Sequence, residues 1–145
     1  MRAWQSLLRA HSALVRRLSA ELESEHDLPL AWYEVLLRLK GAPEHRMRMQ
    51  ELAGSTFFSP SGMTRLVDRM VQAGLVERHL CDTDRRVHYA AVTDEGIARL
   101  RAASGLHLRG IEEHFGSRLD DEEAEALARA LDRVATRLGA APLPD

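Results

Sequence analysis

Apolar side chains recur in steps of three and four at Trp4, Leu7, Leu8, Leu14, Val15, Leu18 and Leu22, with His11 on the same stripe. That period predicts an amphipathic first helix over about residues 1–24. Asp27 and Pro29 suit an N-cap and an early first turn, which predicts a second helix through Trp32, Val35, Leu36 and Leu39, closed by Gly41 and Pro43. A short third helix around Arg48–Ala53 stops at Gly54. Ser59-Pro60 opens a fourth, with Met63, Leu66, Val67, Met70 and Val71 inward and Gly74 as its stop.

The pattern then changes. Leu75–Leu80 and Val87–Thr93 are β-permissive runs, and the polar stretch Cys81–Arg86 between them predicts a hairpin with a charged tip. From Thr93 the helical period resumes through Ile97, Leu100, Leu108, Ile111 and Phe115. Asp120 and Glu123 read as the capping pair of a last helix striped by Ala124, Leu127, Leu131, Val134 and Leu138. Two short helices joined by a tight turn and followed by a hairpin describe a winged helix-turn-helix. The expected fold is therefore mainly α with a small β-hairpin wing, a single domain over residues 1–145. In it a winged helix-turn-helix (about 28–93) joins a helical dimerisation region (about 1–24 and 95–138). The outer stripes are too long for one small core to bury, so a homodimer is expected.

A chain of 145 residues with 45% hydrophobic and 29% charged positions is that of one folded globular domain. Charged residues cut every apolar run short of the ~18 residues of a membrane span. Arg9, Arg16 and Arg17 interrupt the first stripe, against a signal peptide. Cys81 is the sole cysteine, which excludes a disulfide framework and a multi-cysteine metal site. A cytoplasmic protein is expected. The net charge of −2 suggests no partner, but its distribution does. Lys40 is the one lysine; Arg46, Arg48, Arg65, Arg69, Arg78, Arg85 and Arg86 lie mid-chain, while acids gather late, from Asp120 to Glu125.

With its apolar set facing the core, the fourth helix turns Ser61, Thr64, Arg65, Asp68 and Arg69 outward. Ser59, Ser61 and Thr64 are short hydroxyls near a helix N-terminus, which itself favours a phosphate. Arg65 can offer guanine two donors, Arg69 can reach the backbone one turn on, and Gly62 allows close approach. At the hairpin tip Arg85 and Arg86 suit a narrow, electronegative minor groove, and Asp84 can hold the turn. No Gly-rich phosphate loop, G-x-S-x-G or H-E-x-x-H is present, so no enzyme is expected.

The run from Met63 to Met70, then Gly74-Leu75-Val76-Glu77-Arg78, and finally Asp84, Arg86, Val92 and Thr93 resemble the MarR family of bacterial transcriptional regulators. The family's wing signature is Asp-x-Arg, five residues, then Leu-Thr; here Val92 replaces the leucine. The resemblance implies a repressor on a pseudo-palindromic double-stranded operator, with the fourth helix in the major groove and the wing in the minor groove. It also implies that Arg86 inserts or orients the wing and that Arg85 contacts the backbone. Small aromatic or phenolic effectors commonly bind such proteins, which makes Trp32, Tyr33 and His11 candidates, with Arg16 as a possible anion partner. No cofactor is implied. Some relatives sense zinc, and His107 and His114 lie two turns apart on a helix that the His11 stripe should meet. With no His-x₃-His or Cys-x₂-Cys spacing, however, these are read as interface histidines, and no metal site is assigned. Cys81 is read as a partly buried strand thiol beside the wing. A different class, a dimer that has lost DNA binding and sequesters protein partners, is opposed by the wing arginines and the Ser/Thr/Arg helix face.

Overall fold

The computed structural model describes residues 1–56, 58–80 and 86–139. In chain order the elements are α1 (Arg2–His26), α2 (Leu30–Gly41), β1 (Arg46–Arg48), α3 (Met49–Gly54), α4 (Pro60–Gln72), β2 (Val76–Leu80), β3 (His88–Val92), α5 (Asp94–His114) and α6 (Asp121–Arg137). They divide into two compact units, Ala31–Ala102 and the pair of segments Met1–Leu30 and Ala103–Gly139. Among the described residues no helix is long and apolar enough to cross a membrane.

The first of these is the winged unit. Its core takes Val35, Leu36 and Leu39 from α2, Leu52 from α3, and Met63, Leu66, Val67 and Met70 from α4. Leu75, Val76 and Ala90 complete it from the sheet side. Each leucine-sized side chain buried this way contributes about 1.5–3 kcal/mol. Val71, expected inward, is instead 37% exposed, because the α4 stripe is narrower than its apolar sequence. Gly74 adopts φ 74 and closes α4: its N–H donates to Val71 O at 2.9 Å, and that of Leu75 to Met70 O at 3.0 Å. This six-to-one and five-to-two pair is a Schellman motif, and it needs the left-handed conformation that glycine adopts without strain.

The wing is a three-stranded antiparallel sheet of order β1-β3-β2, not a two-stranded hairpin alone. β1 is too short and too charged for its sequence to announce a strand. It forms because Arg46, Met47 and Arg48 pair with Ala91, Ala90 and Tyr89. Charged residues on a three-residue edge strand also discourage further pairing. Across the other edge, Val76 faces Val92, Arg78 faces Ala90 and His79 faces Tyr89.

In the helical unit, Leu18 and Leu22 of α1 are buried, as is Ala103 of α5. Asp27, expected as the N-cap of α2, ends α1 in the left-handed region at φ 47, with its N–H donating to Glu23 O at 3.1 Å, and α2 begins at Leu30. Aspartate tolerates that conformation better than most residues, so the same side chain serves a helix end as readily as a helix start. Asp120 caps α6 as expected: its carboxylate accepts from Glu123 N at 2.8 Å, and Glu123 Oε2 accepts from Asp120 N at 3.1 Å. No residue of α6 is buried within the chain.

Candidate nucleic-acid interface

The N-terminus of α4 is built by three adjacent residues. Ser59 sits in extended backbone, Pro60 occupies the first helical position, and Ser59 Oγ accepts from Gly62 N at 3.1 Å. A Cβ on Gly62 would lie 3.1 Å from that Oγ, so glycine leaves room for the cap itself. The close approach to another surface anticipated for Gly62 thus has a local counterpart. Ser61 Oγ lies 3.3 Å from Ser59 Oγ, and Thr64 Oγ1 donates to Pro60 O at 2.9 Å. The Thr64 hydroxyl proton is therefore committed locally, one proton is shared between Ser59 and Ser61, and the oxygen lone pairs of the turn can still accept.

Ser61, Thr64, Arg65, Asp68 and Arg69 are all exposed, opposite the buried Met63, Leu66, Val67 and Met70. Arg65 Nε reaches back to Ser61 O at 3.4 Å. Asp68 is engaged from the sheet: Arg78 Nη2 lies 2.9 Å from Asp68 Oδ1 and donates to Thr64 O at 3.2 Å. Arg78, grouped by sequence among the mid-chain cations, is in this way turned toward α4.

Asp84 and Arg85, and with them Cys81, lie outside the described residues. Arg86 is exposed just ahead of β3. The remaining signature residues have structural work. Val92 pairs with Val76, and Thr93 Oγ1 donates to Gly74 O at 2.7 Å while accepting from Gly96 N at 3.0 Å. One hydroxyl thereby joins the end of α4 to the start of α5.

Sequence reasoning missed a cluster on the outer sheet face. Tyr89 lies between Arg48 and His79 in one cross-strand row. Arg48 Nε donates to its hydroxyl at 3.2 Å, and the guanidinium of Arg46 sits 5.3 Å from its ring centre, within cation–π range. Only the β1–β3 pairing brings these residues together, and the alternation Arg-Met-Arg was its one sequence signal.

The effector candidates fall on different elements. His11 is exposed on α1, Trp32 is half-buried on α2, and Tyr33 is buried at 3% exposure. Of the histidines weighed as ligands, His114 Nε2 lies 2.7 Å from Glu21 Oε1 and His107 is half-buried. Among the described residues no group of three or more His, Cys, Asp or Glu side chains is placed to hold a metal ion.

The chain is similar in sequence and in fold to known proteins. A sequence model described as the MarR family matches residues 26–87. The transcriptional regulator PecS of Dickeya dadantii is 29% identical over 129 residues, 88% of this chain and 76% of its own length. The crystal structure of AbsC, a MarR family regulator from Streptomyces coelicolor, superposes with a TM-score of 0.87 at 32% identity, over 94% of this chain and 91% of that one. Sco3205 from the same organism, solved in complex with DNA, gives 0.88 at 30% identity, over 98% and 90% of the two chains. Agreement of this extent, across the helices as well as the wing, places the chain in the MarR family of transcriptional regulators.

Proposed function

We propose that the chain acts as a homodimer that binds a pseudo-palindromic double-stranded operator and represses transcription from it. The α4 face of Ser61, Thr64, Arg65 and Arg69 enters the major groove, and the wing tip with Asp84, Arg85 and Arg86 enters the flanking minor groove. The capped N-terminus at Ser59 and Gly62 lies against a phosphate. The exposed, core-backed α4 face is the observation that carries this reading. It is joined by the fact that a relative 30% identical to this chain was crystallised in complex with DNA.

Dimerisation is assigned to the helices of residues 1–24 and 95–138. The amphipathic α6 buries no residue within the chain, and Trp4, Leu7 and Leu8 of α1 are exposed as well. Two-fold symmetry then sets half-sites about one helical turn, ~10 bp, apart. The reading includes release by a small aromatic or phenolic molecule, which family membership supports. Such a molecule regulates only if it binds one spacing of the two recognition helices better than the other. His11, Trp32 and Tyr33 are the residues to vary in testing it. A dimer that only sequesters protein partners would have no use for the arginines of α4 and the wing.

Selection of a random duplex pool by the purified protein tests the proposal. The expected result is one enriched palindrome, bound by one dimer per duplex with a steep salt dependence. An intact protein that enriches no sequence would overturn it.

A further inference from the structure

Apolar burial of Met63, Leu66, Val67 and Met70 sets which face of α4 turns inward, but hydrophobic burial is non-directional and supplies no fixed point on the exposed face. A polar contact supplies one. Arg78 Nη2 meets Asp68 Oδ1 at 2.9 Å and Thr64 O at 3.2 Å, two points one helical turn apart. Each point adjoins in sequence a side chain assigned to DNA, Arg65 after Thr64 and Arg69 after Asp68. Arg78 belongs to β2, which runs directly into the wing tip.

The pair is poorly placed to be a source of stability. The Asp68 side chain is 53% exposed and that of Arg78 29%, a range in which ion pairs contribute little to folding. Asp68 is also a negative charge on the face that should meet phosphates, where plain Coulomb repulsion weakens binding. A side chain that neither stabilises much nor attracts DNA has a use if it orients the side chains that do.

Resting on the operator-binding reading above, we propose that Arg78 is a positioning residue: by gripping Thr64 and Asp68 it fixes the rotation of α4 relative to β2, and with it the register in which Arg65 and Arg69 meet the bases and backbone. The grip works through the charge-assisted bond between Arg78 and Asp68, which an uncharged amide in place of the carboxylate weakens.

The decisive experiment measures binding to the selected operator and to a scrambled duplex across a salt series. It compares the wild-type chain with Asp68→Asn, Arg78→Gln and the double variant. Asp68→Asn removes a negative charge yet is expected to weaken operator binding about tenfold, while binding to the scrambled duplex holds or tightens. Arg78→Gln is expected to lower the operator-over-scrambled ratio by a similar factor with its salt slope unchanged. In the Arg78→Gln background, Asp68→Asn should bring no further loss. Melting temperatures should stay within about 4 °C of wild type.

Equal tightening on both duplexes by Asp68→Asn would mean that Asp68 only repels DNA, and the proposal fails. Equal weakening on both duplexes by Arg78→Gln, with the salt slope reduced by about one, would make Arg78 a phosphate contact instead. Should Arg78→Gln not fold, the sign of the Asp68→Asn effect decides alone. A wild-type chain with no preferred duplex removes the reading beneath this inference and the inference with it. A preference that survives both substitutions removes this inference only.

Discussion

Glu21 and His114 meet where α1 crosses α5, with His114 Nε2 2.7 Å from Glu21 Oε1. Arg17 Nε reaches the same oxygen at 2.7 Å and lies 3.3 Å from His114 Nε2, so the three side chains form one cluster. The helices approach closely because Gly110 lies at the crossing: a Cβ there would come within 2.8 Å of Glu21 Oε2 and 2.9 Å of Leu18 Cδ2.

This contact makes stability depend on pH in two stages. The hydrogen bond from His114, followed by the charges of His114 and Arg17, holds the Glu21 carboxyl below its ordinary value of 4.5. Its contribution is present above that value and is lost as pH falls through the depressed one. Burial pushes His107 below its ordinary 6.5, opposed by the charge of Glu21. The unfolded chain therefore takes up that proton first, and stability declines as pH falls from 6.5 toward the depressed value. Glu21→Gln should cost about 1 kcal/mol at neutral pH and flatten the lower stage. His107→Gln should flatten the upper one. Thermal melts from pH 7 to pH 3.5 check both, and an acid limb unchanged by Glu21→Gln would contradict the first.

Two helical glycines predict effects of opposite sign. A Cβ on Gly96 would run into the backbone oxygen of Leu75 and lie 2.7 Å from Val92 Cγ2. That oxygen accepts from Thr93 N at 3.1 Å and cannot retreat without breaking the junction into α5. Gly96→Ala should therefore lose about 2–4 kcal/mol, more than the roughly 1 kcal/mol that alanine gains in a helix. Gly105 is exposed, and its Cβ would meet only the end of the Arg109 side chain at 3.3 Å. Gly105→Ala should raise stability by about 0.5–1 kcal/mol. Denaturant midpoints for the two variants that moved in the same direction would contradict this reasoning.

Why the element order was legible while parts of the site were not follows from the range of the forces involved. The α4 cap, the Gly74 stop and the Asp120–Glu123 box are local, with donor and acceptor a few residues apart, so the sequence carries them directly. Asp27 suits either side of a helix boundary, and the structure uses it in the left-handed region at the end of α1. β1 and the Arg78 grip depend on partners 41 to 45 and 10 to 14 positions away, respectively, which no periodicity records.

α6 gives a third prediction. Leu131, Val134 and Leu138 are 38%, 56% and 80% exposed, on a helix that buries nothing within its own chain. In a monomer, Val134→Asp would change little, because a surface substitution of this kind shifts stability by about 0.5 kcal/mol or less. In a dimer that packs this stripe it places an unpaired charge in an apolar interface. Sedimentation should show a dimeric wild type and a variant dissociating at much higher concentration. A variant that stays as dimeric as the wild type would take α6 out of the interface.

Arg65 and Arg86 should fail in different ways when removed, which separates base reading from backbone contact. Arg65 stands on the exposed face of α4, one turn from the capped N-terminus, where a guanidinium can offer two donors to one guanine. Arg65→Ala should cost about 1–3 kcal/mol on the selected operator, much less on random DNA, and relax the preference at one position of each half-site. Arg86 is exposed at the wing, where its charge works against phosphates lining a narrow groove. Arg86→Ala should weaken both duplexes and lower the salt slope by about one. Repeating the duplex selection with each variant distinguishes them. Equal losses on specific and random DNA for Arg65→Ala would strip it of base reading, and an unchanged slope for Arg86→Ala would take the wing off the DNA.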